Sequence, residues 1–172
     1  IILGASTISG TYTLTAAGAV TDTGALAITG VTTIAAGSGN NITLDHTSNN
    51  FQAAVIITSG NNVTLVDAGA IDLGASTVSG TYAVTATASG DITDSGVLAI
   101  TGGATFTVAN GRSIILDQSS TFSSTVTFVA SAGTIAAVTI NDSNALDLKA
   151  LTTTGNLTVT AGGAVTDSGT LV

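Results

Sequence analysis

Apolar and polar residues alternate along this chain in short runs. In Thr11-Tyr12-Thr13-Leu14-Thr15, Tyr12 and Leu14 share one face and the threonines share the other. The same spacing returns at Leu26 and Ile28, Ile42 and Leu44, Val63 and Leu65, and Ile71 and Leu73. A period of two marks a strand with one buried face. β-Branched residues dominate these runs, which favours strands over helices. Gly, Asn, Asp and Ser fill the gaps between them. The pattern predicts an all-β chain of many short strands and tight corners.

The runs also repeat. Residues 3–12 read LGASTISGTY and residues 73–82 read LGASTVSGTY, nine identities in ten at a spacing of 70. VTDTGALAITG (20–30) returns as ITDSGVLAITG (92–102). A third copy begins at Leu146-Asp147-Leu148, matching Ile71-Asp72-Leu73, and continues through NLTVTAGGAVTDSGTL (156–171). The copies span approximately 1–70, 71–145 and 146–172, as one continuous segment. Within a copy, SGNNITL (38–44) recurs as SGNNVTL (59–65), a shift of 21, and TYTLTA (11–16) resembles VTTIAA (31–36), a shift of 20.

A period of 20–22 residues fits three short strands and three corners. Such a turn cannot bury its inward side chains alone, but stacked turns make a continuous core. The expected fold is therefore a parallel β-helix, or β-solenoid. It is taken as right-handed because parallel crossovers almost always are. The chain divides into about seven turns of 20–32 residues: 11–30, 31–52, 53–80, 81–102, 103–123, 124–155 and a partial turn from 156. This makes three turns per copy and a rod about 35 Å long at ~4.8 Å per turn. One inward column is expected to hold Leu14, Ile34, Ile57, Val84, Val108, Phe128 and Val159. A second should hold Val20, Ile42, Val63, Ile92, Ile114, Val138 and Val165. Tyr12, Tyr82 and Leu157 should be equivalent sites three turns apart, and Tyr12, Tyr82, Phe106 and Phe128 should point inward.

Two features of composition follow from this fold. Proline is absent, as suits strands that pair on both edges. Glycine collects at corners where a positive φ would be tolerated: Gly10, Gly24, Gly30, Gly39, Gly60, Gly80, Gly96, Gly102, Gly155 and Gly169.

Composition excludes several classes. The chain is 44% hydrophobic and only 7% charged, the reverse of a disordered segment. No apolar run approaches the ~20 residues of a membrane-spanning helix. Ten Asp against Arg112 and Lys149 give a net charge of −8, which disfavours nucleic acid and anionic membranes as partners. Cysteine is absent, so there are no disulfides or thiolate metal sites. No Met opens the chain and no signal peptide is present, which leads us to expect a piece of something longer.

At TLTAAGAVTDTGALAITG (13–30) and SGNNITLD (38–45) the sequence resembles repeats of filamentous-haemagglutinin-like exoproteins and giant bacterial surface proteins. The likeness extends over the whole chain. It implies a right-handed β-helix shaft, secretion to the bacterial cell surface or medium, and roles in adhesion, biofilm matrix or filament structure.

Candidate chemistry is sparse. Asp22, Asp94 and Asp167 occupy one repeat position in TDTG, TDSG and TDSG. Asp followed two residues later by Gly is a turn signature, so Asp22-Gly24, Asp94-Gly96 and Asp167-Gly169 are read as structural corners. Three turns apart, these aspartates would stand ~14 Å from one another along the axis. An acid/base pair needs ~5–9.5 Å. Asp45 with Asp117, Asp67 with Asp142, and Asp72 with Asp147 are repeat-equivalent in the same way. No calcium-binding nonapeptide or EF-hand loop occurs. His46 has no Cys or second His to join it in a zinc site or triad. Asn40-Asn41 and Asn61-Asn62 are expected to stack as an asparagine ladder, although Asn41, Asn62, Asn141 and Asn156 also begin glycosylation sequons. An ice-binding row of threonines is disfavoured, because Thr11, Thr13 and Thr15 meet Val31, Thr33 and Ala35 in the next turn.

The sequence thus points away from an enzyme and from any cofactor or metal. It favours a structural shaft or filament-forming segment, whose partners are copies of itself or flanking repeats of the same chain. The alternative is an adhesin that binds glycan or a host or matrix receptor through its lateral face.

Overall fold

In the computed structural model the structure describes residues 1–88 and 90–172. Among the described residues there are strands and no helix. Every pairing is parallel, and the strands stack as a β-solenoid. The sequence explains this arrangement directly. Inward Leu, Ile and Val at alternate positions are buried, as in Ile42 and Leu44 or Val63 and Leu65. Each such side chain contributes roughly 1.5–3 kcal/mol when it leaves water.

Two long faces run the length of the rod. The first holds nine strands, in the order Ile2–Leu3, Val20–Asp22, Ile42–Leu44, Val63–Asp67, Tyr82–Ala86, Ala104–Val108, Thr125–Ala130, Leu146–Leu148 and Val165–Asp167. The second holds Tyr12–Thr15, Thr32–Ala35, Val55–Ser59, Ile71–Leu73, Ile92–Asp94, the start of Ile114–Phe122, Val138–Asp142 and Leu157–Ala161. Nine strands on the first face make about eight turns, one more than the seven expected.

A third, short side changes position. Ser6–Ile8, Leu26–Ile28 and Asn50–Phe51 lie on the path from the first face to the second. Ser76–Val78, Leu98–Ile100 and the end of Ile114–Phe122 lie on the path from the second face to the first. At the change the chain passes from Leu65 to Leu73 in eight residues with no short strand between them. Ile140 to Leu148 repeats that step. The bridges Gly60↔Val78 and Ile135↔Thr153 mark the two places where the short side reappears on the other edge.

This overturns the expected three turns per copy. Each full copy contains ten strand passages, three triangular turns plus one extra strand. The opening strand of the copies, Ile2–Leu3, Ile71–Leu73 and Leu146–Leu148, falls on the first, second and first face. Two copies therefore take seven turns, or three and a half turns each. The expected turns 53–80 and 124–155 looked long because each contains that extra strand.

The inward columns change accordingly. Leu14, Ile34 and Ile57 stack on the second face, and Val20, Ile42 and Val63 stack on the first. Past the junction the expected memberships exchange faces. Val84 pairs with Leu65 and Phe106, and Phe128 follows Phe106. Val108 lies between Ala86 and Ala130. Ile92, Ile114 and Val138 stack on the second face, followed by Leu157. Val159 pairs with Ile140, and Val165 pairs with Leu146 on the first face. Tyr12, Tyr82 and Leu157 are likewise not in one line. They sit on the second, first and second face.

Burial fades mainly in the terminal turns, where a strand has a neighbour on one side. Leu14, Tyr12 and Val159 are half-buried and Val165 is exposed. Tyr82, Phe106, Phe122 and Phe128 form one aromatic cluster. Phe106 lies edge-on to Tyr82 at 6.1 Å and to Phe122 at 6.2 Å, and stacks on Phe128 at 6.0 Å.

Most of the corner glycines are selected by close stacking and not by backbone handedness, while Gly10 and Gly39 have open space where a Cβ would stand. Among the described residues, positive φ occurs at Gly37, Gly111 and Gly133, none of which was an expected corner. A Cβ at Gly24 would enter the backbone of Ala5, one at Gly96 that of Ala75, and one at Gly169 that of Ala150. The TD[ST]G phrase of one turn thus sits on the phrase of residues 3–6, 73–76 or 148–151 in the turn before. That contact is kept in all three copies although the face alternates.

Candidate functional site

The Asp-x-Gly corners do more than turn the chain. Asp22 is almost fully buried. Its Oδ1 accepts the N–H of Asp45 at 3.1 Å, and its Oδ2 accepts the N–H of His46 at 3.4 Å and the side-chain amide of Asn49 at 2.6 Å. Asp94 repeats the first part: its Oδ1 accepts the N–H groups of Asp117 at 2.9 Å and Gln118 at 3.4 Å. Its Oδ2 is buried without a partner. Burial pushes the Asp94 pKa up to about 6, and the charges of Asp117 and Asp72 push the same way. Asp167 is exposed, and its Oδ1 accepts the N–H of Gly169 at 2.8 Å. A buried carboxylate in each full copy thus ties its corner to the next turn.

These three aspartates are not aligned as expected. Asp22 and Asp167 lie on the first face and Asp94 on the second. Along the first face, seven strand steps separate Asp22 from Asp167, roughly 34 Å at the usual strand spacing. They form no pair.

Asp67 and Asp142 have a role that the sequence did not reveal. Each ends the extra strand of its copy, and each is buried. Asp67 accepts the N–H of Phe51 at 2.7 Å and that of Gly69 at 2.6 Å. Asp142 accepts the N–H of Phe122 at 3.3 Å and that of Asn144 at 3.2 Å. Phe51 and Phe122 close the last strand of each short side, so no following strand takes those N–H groups. The carboxylates cap the side that disappears. Burial raises the pKa of both. The signal was present as an Asp at the end of VTLVD (63–67) and VTIND (138–142), but it needed the junction to be interpreted.

The asparagine rows are ladders of a different kind. Side-chain amides do not bond each other. The Asn41 Oδ1 accepts the N–H of Asn62 at 3.2 Å, and the Asn62 Oδ1 accepts the N–H of Thr81 at 3.0 Å. Asn40 donates its amide to Ala36 O at 2.7 Å across the Gly37 turn, and the Asn61 N–H bonds Asn40 O at 2.7 Å. The Ser79 Oγ reaches the Asn61 Oδ1 at 3.5 Å. The row is a one-sided staircase, side chain to backbone, because each outward amide lies beneath the next strand's entry. Of the sequon residues, Asn41, Asn62 and Asn156 are exposed, while Asn141 is half-buried and donates to Asp117 O at 3.1 Å.

The remaining polar groups do not converge. The His46 Nδ1 accepts the Ser48 N–H at 3.2 Å. Among the described residues, no three His, Cys, Asp or Glu side chains gather closely enough to hold a metal ion. A shallow depression of about 310 Å³ is lined by Thr127, Phe128, Val129, Ala130, Gly133, Ala150 and Thr152, with no titratable group. The first face carries an outward row of Thr21, Thr43, Thr64, Ala83, Thr105 and Thr127, beside Val66, Thr85, Thr107 and Val129. Ala83 interrupts the first row, and Val66 and Val129 interrupt the second, so the flat array stays broken. Among the described residues no helix is long and apolar enough to cross a membrane.

Stacked parallel turns, with carboxylates and amides committed to joining one turn to the next, define a repeat β-solenoid. The chain belongs to the family described as Repeats of unknown function (DUF5649), whose model matches residues 1–58, 60–129 and 135–172. The second and third matched segments begin at Gly60 and Ile135, the two residues that bridge where the short side changes edge. No curated protein and no solved structure matches the chain.

Proposed function

We propose that the chain is a structural shaft segment of a larger bacterial surface or matrix protein, exposed outside the cell. One observation carries this reading. The column Val20, Ile42, Val63, Tyr82, Ala104, Val126 and Leu148 is buried along its whole length. Among the described residues, polar side chains serve the joints between turns and no three metal-ligating side chains gather. Such a repeat transmits length and stiffness without chemistry, since each turn contacts only its neighbours. The likeness at 13–30 and 38–45 to filamentous-haemagglutinin-like exoproteins supports the extracellular location. The net charge of −8 keeps the shaft away from nucleic acid and anionic lipid. Its partners are flanking repeats.

Electron microscopy of a protein with many consecutive copies tests this reading. Straight rods of constant width are expected, lengthening by roughly 17 Å per copy at the usual strand spacing. Compact particles of unchanged diameter would contradict it. Antibody labelling of intact cells that produce the full-length protein tests the location, and labelling only after lysis would count against it.

A further inference from the structure

We propose that the groove beside Phe128 and Ala130 is a lateral docking site for an extended peptide segment of a partner protein. The segment has small, uncharged side chains and adds itself to the strand Thr125–Ala130 by main-chain hydrogen bonds. This goes beyond the shaft reading and does not depend on it.

The groove is an open strand edge in the side of the rod. Toward the preceding turn, Val126 to Ala130 pair residue by residue with Ala104 to Val108. Toward the following turn the ladder holds only Thr125 and Val126, against Asp147 and Leu148. Successive residues of a strand send their N–H and C=O groups to opposite edges. The Lys149 N–H donates to Val126 O at 2.9 Å on the following side, and the Ser131 N–H donates to Val108 O at 2.8 Å on the preceding side. Phe128 and Ala130 therefore direct their groups toward the following turn, as Val126 does. Among the described residues these two N–H and two C=O groups have no hydrogen-bond partner. They face the depression of about 310 Å³, whose far wall is Ala150 and Thr152. That wall is itself covered by another turn, since the Leu151 N–H donates to Thr170 O at 3.0 Å and the Thr153 N–H to Val172 O at 3.1 Å. The opening thus lies between stacked turns and faces sideways.

The first copy shows what closes such an edge. Ile57 is the counterpart of Phe128, and its N–H donates to the Ser76 Oγ at 3.0 Å. Leu151 stands where Ser76 stands, in LKAL (148–151) against LGAS (73–76), and has no hydroxyl. The bridging Gly60 follows Ser59 directly, whereas Ser131, Ala132, Gly133 and Thr134 separate Ala130 from the bridging Ile135. The lost hydroxyl and the longer loop leave the second edge unsealed.

Shape and chemistry define the occupant. N–H and C=O groups alternating along a strand edge are the pattern that another main chain completes. The edge is recessed between the Gly133 loop and the wall of Ala150 and Thr152, which keeps out a folded rod and admits a single extended chain. No titratable group lines the recess, so a charged side chain placed there would be unpaired. At about 310 Å³ the space lies at the small end of binding pockets, which restricts the segment to small side chains. Gly74-Ala75-Ser76-Thr77, the segment that seals Ile57 in the first copy, has that chemistry.

The test titrates an acetylated and amidated Gly-Ala-Ser-Thr peptide into the whole chain. NMR follows amide shifts and hydrogen exchange at Phe128 and Ala130, with Ile57 as the sealed reference. Without peptide, Phe128 is expected to exchange roughly tenfold faster than Ile57 or more, and equal protection of the two would overturn the open edge. With millimolar peptide, the Phe128 and Ala130 shifts should saturate and their exchange should slow. Ala150→Trp, which fills the groove from its exposed wall, should abolish both effects. No saturable change at these amides, or an undiminished change in Ala150→Trp, would overturn the docking site. An equal response to the same peptide N-methylated at alternate amides would overturn main-chain pairing.

Discussion

Asp22 in the first copy and Asp94 in the second occupy the same corner with different company. Both fix the N–H of an aspartate in the turn above. Asn49 additionally gives its amide to the Asp22 Oδ2 while its own Oδ1 accepts the Leu26 N–H at 2.8 Å. In the second copy Ser120 takes the place of Asn49. The Ser120 Oγ still accepts the Leu98 N–H at 2.9 Å, but it is too short to reach the carboxylate. One job survives and the other is lost, leaving the Asp94 Oδ2 buried and unpartnered. A repeat can thus conserve its backbone joints while the electrostatics of equivalent corners drift apart.

The core differs between the copies too. Ile34 and Ile57 of the first copy correspond to Phe106 and Phe128 of the second. Phe106→Ala is expected to cost about 3–5 kcal/mol, near the upper end for a core deletion, because three aromatic neighbours lose their contact. Ile34→Ala should cost about 2–5 kcal/mol and less than Phe106→Ala in the same denaturant titration. Equal costs would remove the aromatic cluster as a distinguishing feature.

The junction caps come next in size. Asp67→Ala strands the N–H groups of Phe51 and Gly69 and should cost about 1–3 kcal/mol. Asp142→Ala should behave alike, because the second junction repeats the first. Urea melts of the two variants check this, and a neutral result for both would refute the capping role.

The pH response should expose the Asp94 corner. Its folded-state pKa of about 6 lies above the ordinary 3.8, so the folded chain binds this proton more tightly than the unfolded chain. Its contribution to stability is full below the ordinary carboxyl pKa. It declines as pH rises toward about 6 and is flat above. Asp67 and Asp142, also raised, act with the same sign. Tm is therefore expected to fall between pH 4 and pH 6.5, and Asp94→Asn should flatten most of that slope. An unchanged pH profile in Asp94→Asn would remove the unpartnered carboxylate as the feature that sets this corner apart.

The smallest effect concerns Tyr82. Its buried hydroxyl makes no hydrogen bond of good geometry although Ser76 lies beside it, and burial raises its pKa. Tyr82→Phe should stabilise the chain by about 1 kcal/mol, read as a small rise in Tm.

Strand identity and inward alternation were legible in the sequence because a period of two leaves a direct mark on Leu14, Ile34 or Val63. Parallel stacking was legible from the repeats. The half-turn offset was not. Copies that match at LGAS and TD[ST]G look as though they should superpose along the axis, and sequence identity is blind to which face a strand occupies. The clue was the spacing from Leu65 to Leu73, too short for a corner, a short strand and another corner. The shared contacts explain why the motif survives the change of face. Gly24 needs Ala5 beneath it and Gly96 needs Ala75, whichever side they are on. The roles of Asp67 and Asp142 were hidden for the same reason, since they are defined by the junction.

The half-turn offset is tested most directly by paired cysteines, introduced into a chain with none of its own. On the first face Thr64 and Ala83 are register partners in adjacent turns, within the ~4.4–6.8 Å Cα separation that a disulfide spans. Under three whole turns per copy, with Val84 stacked on Ile57, Ala83 would instead stack on Ile56. On oxidation, Thr64→Cys with Ala83→Cys is predicted to crosslink readily, and Ile56→Cys with Ala83→Cys to remain reduced. Crosslinking of the 56–83 pair with none at 64–83 would contradict the account.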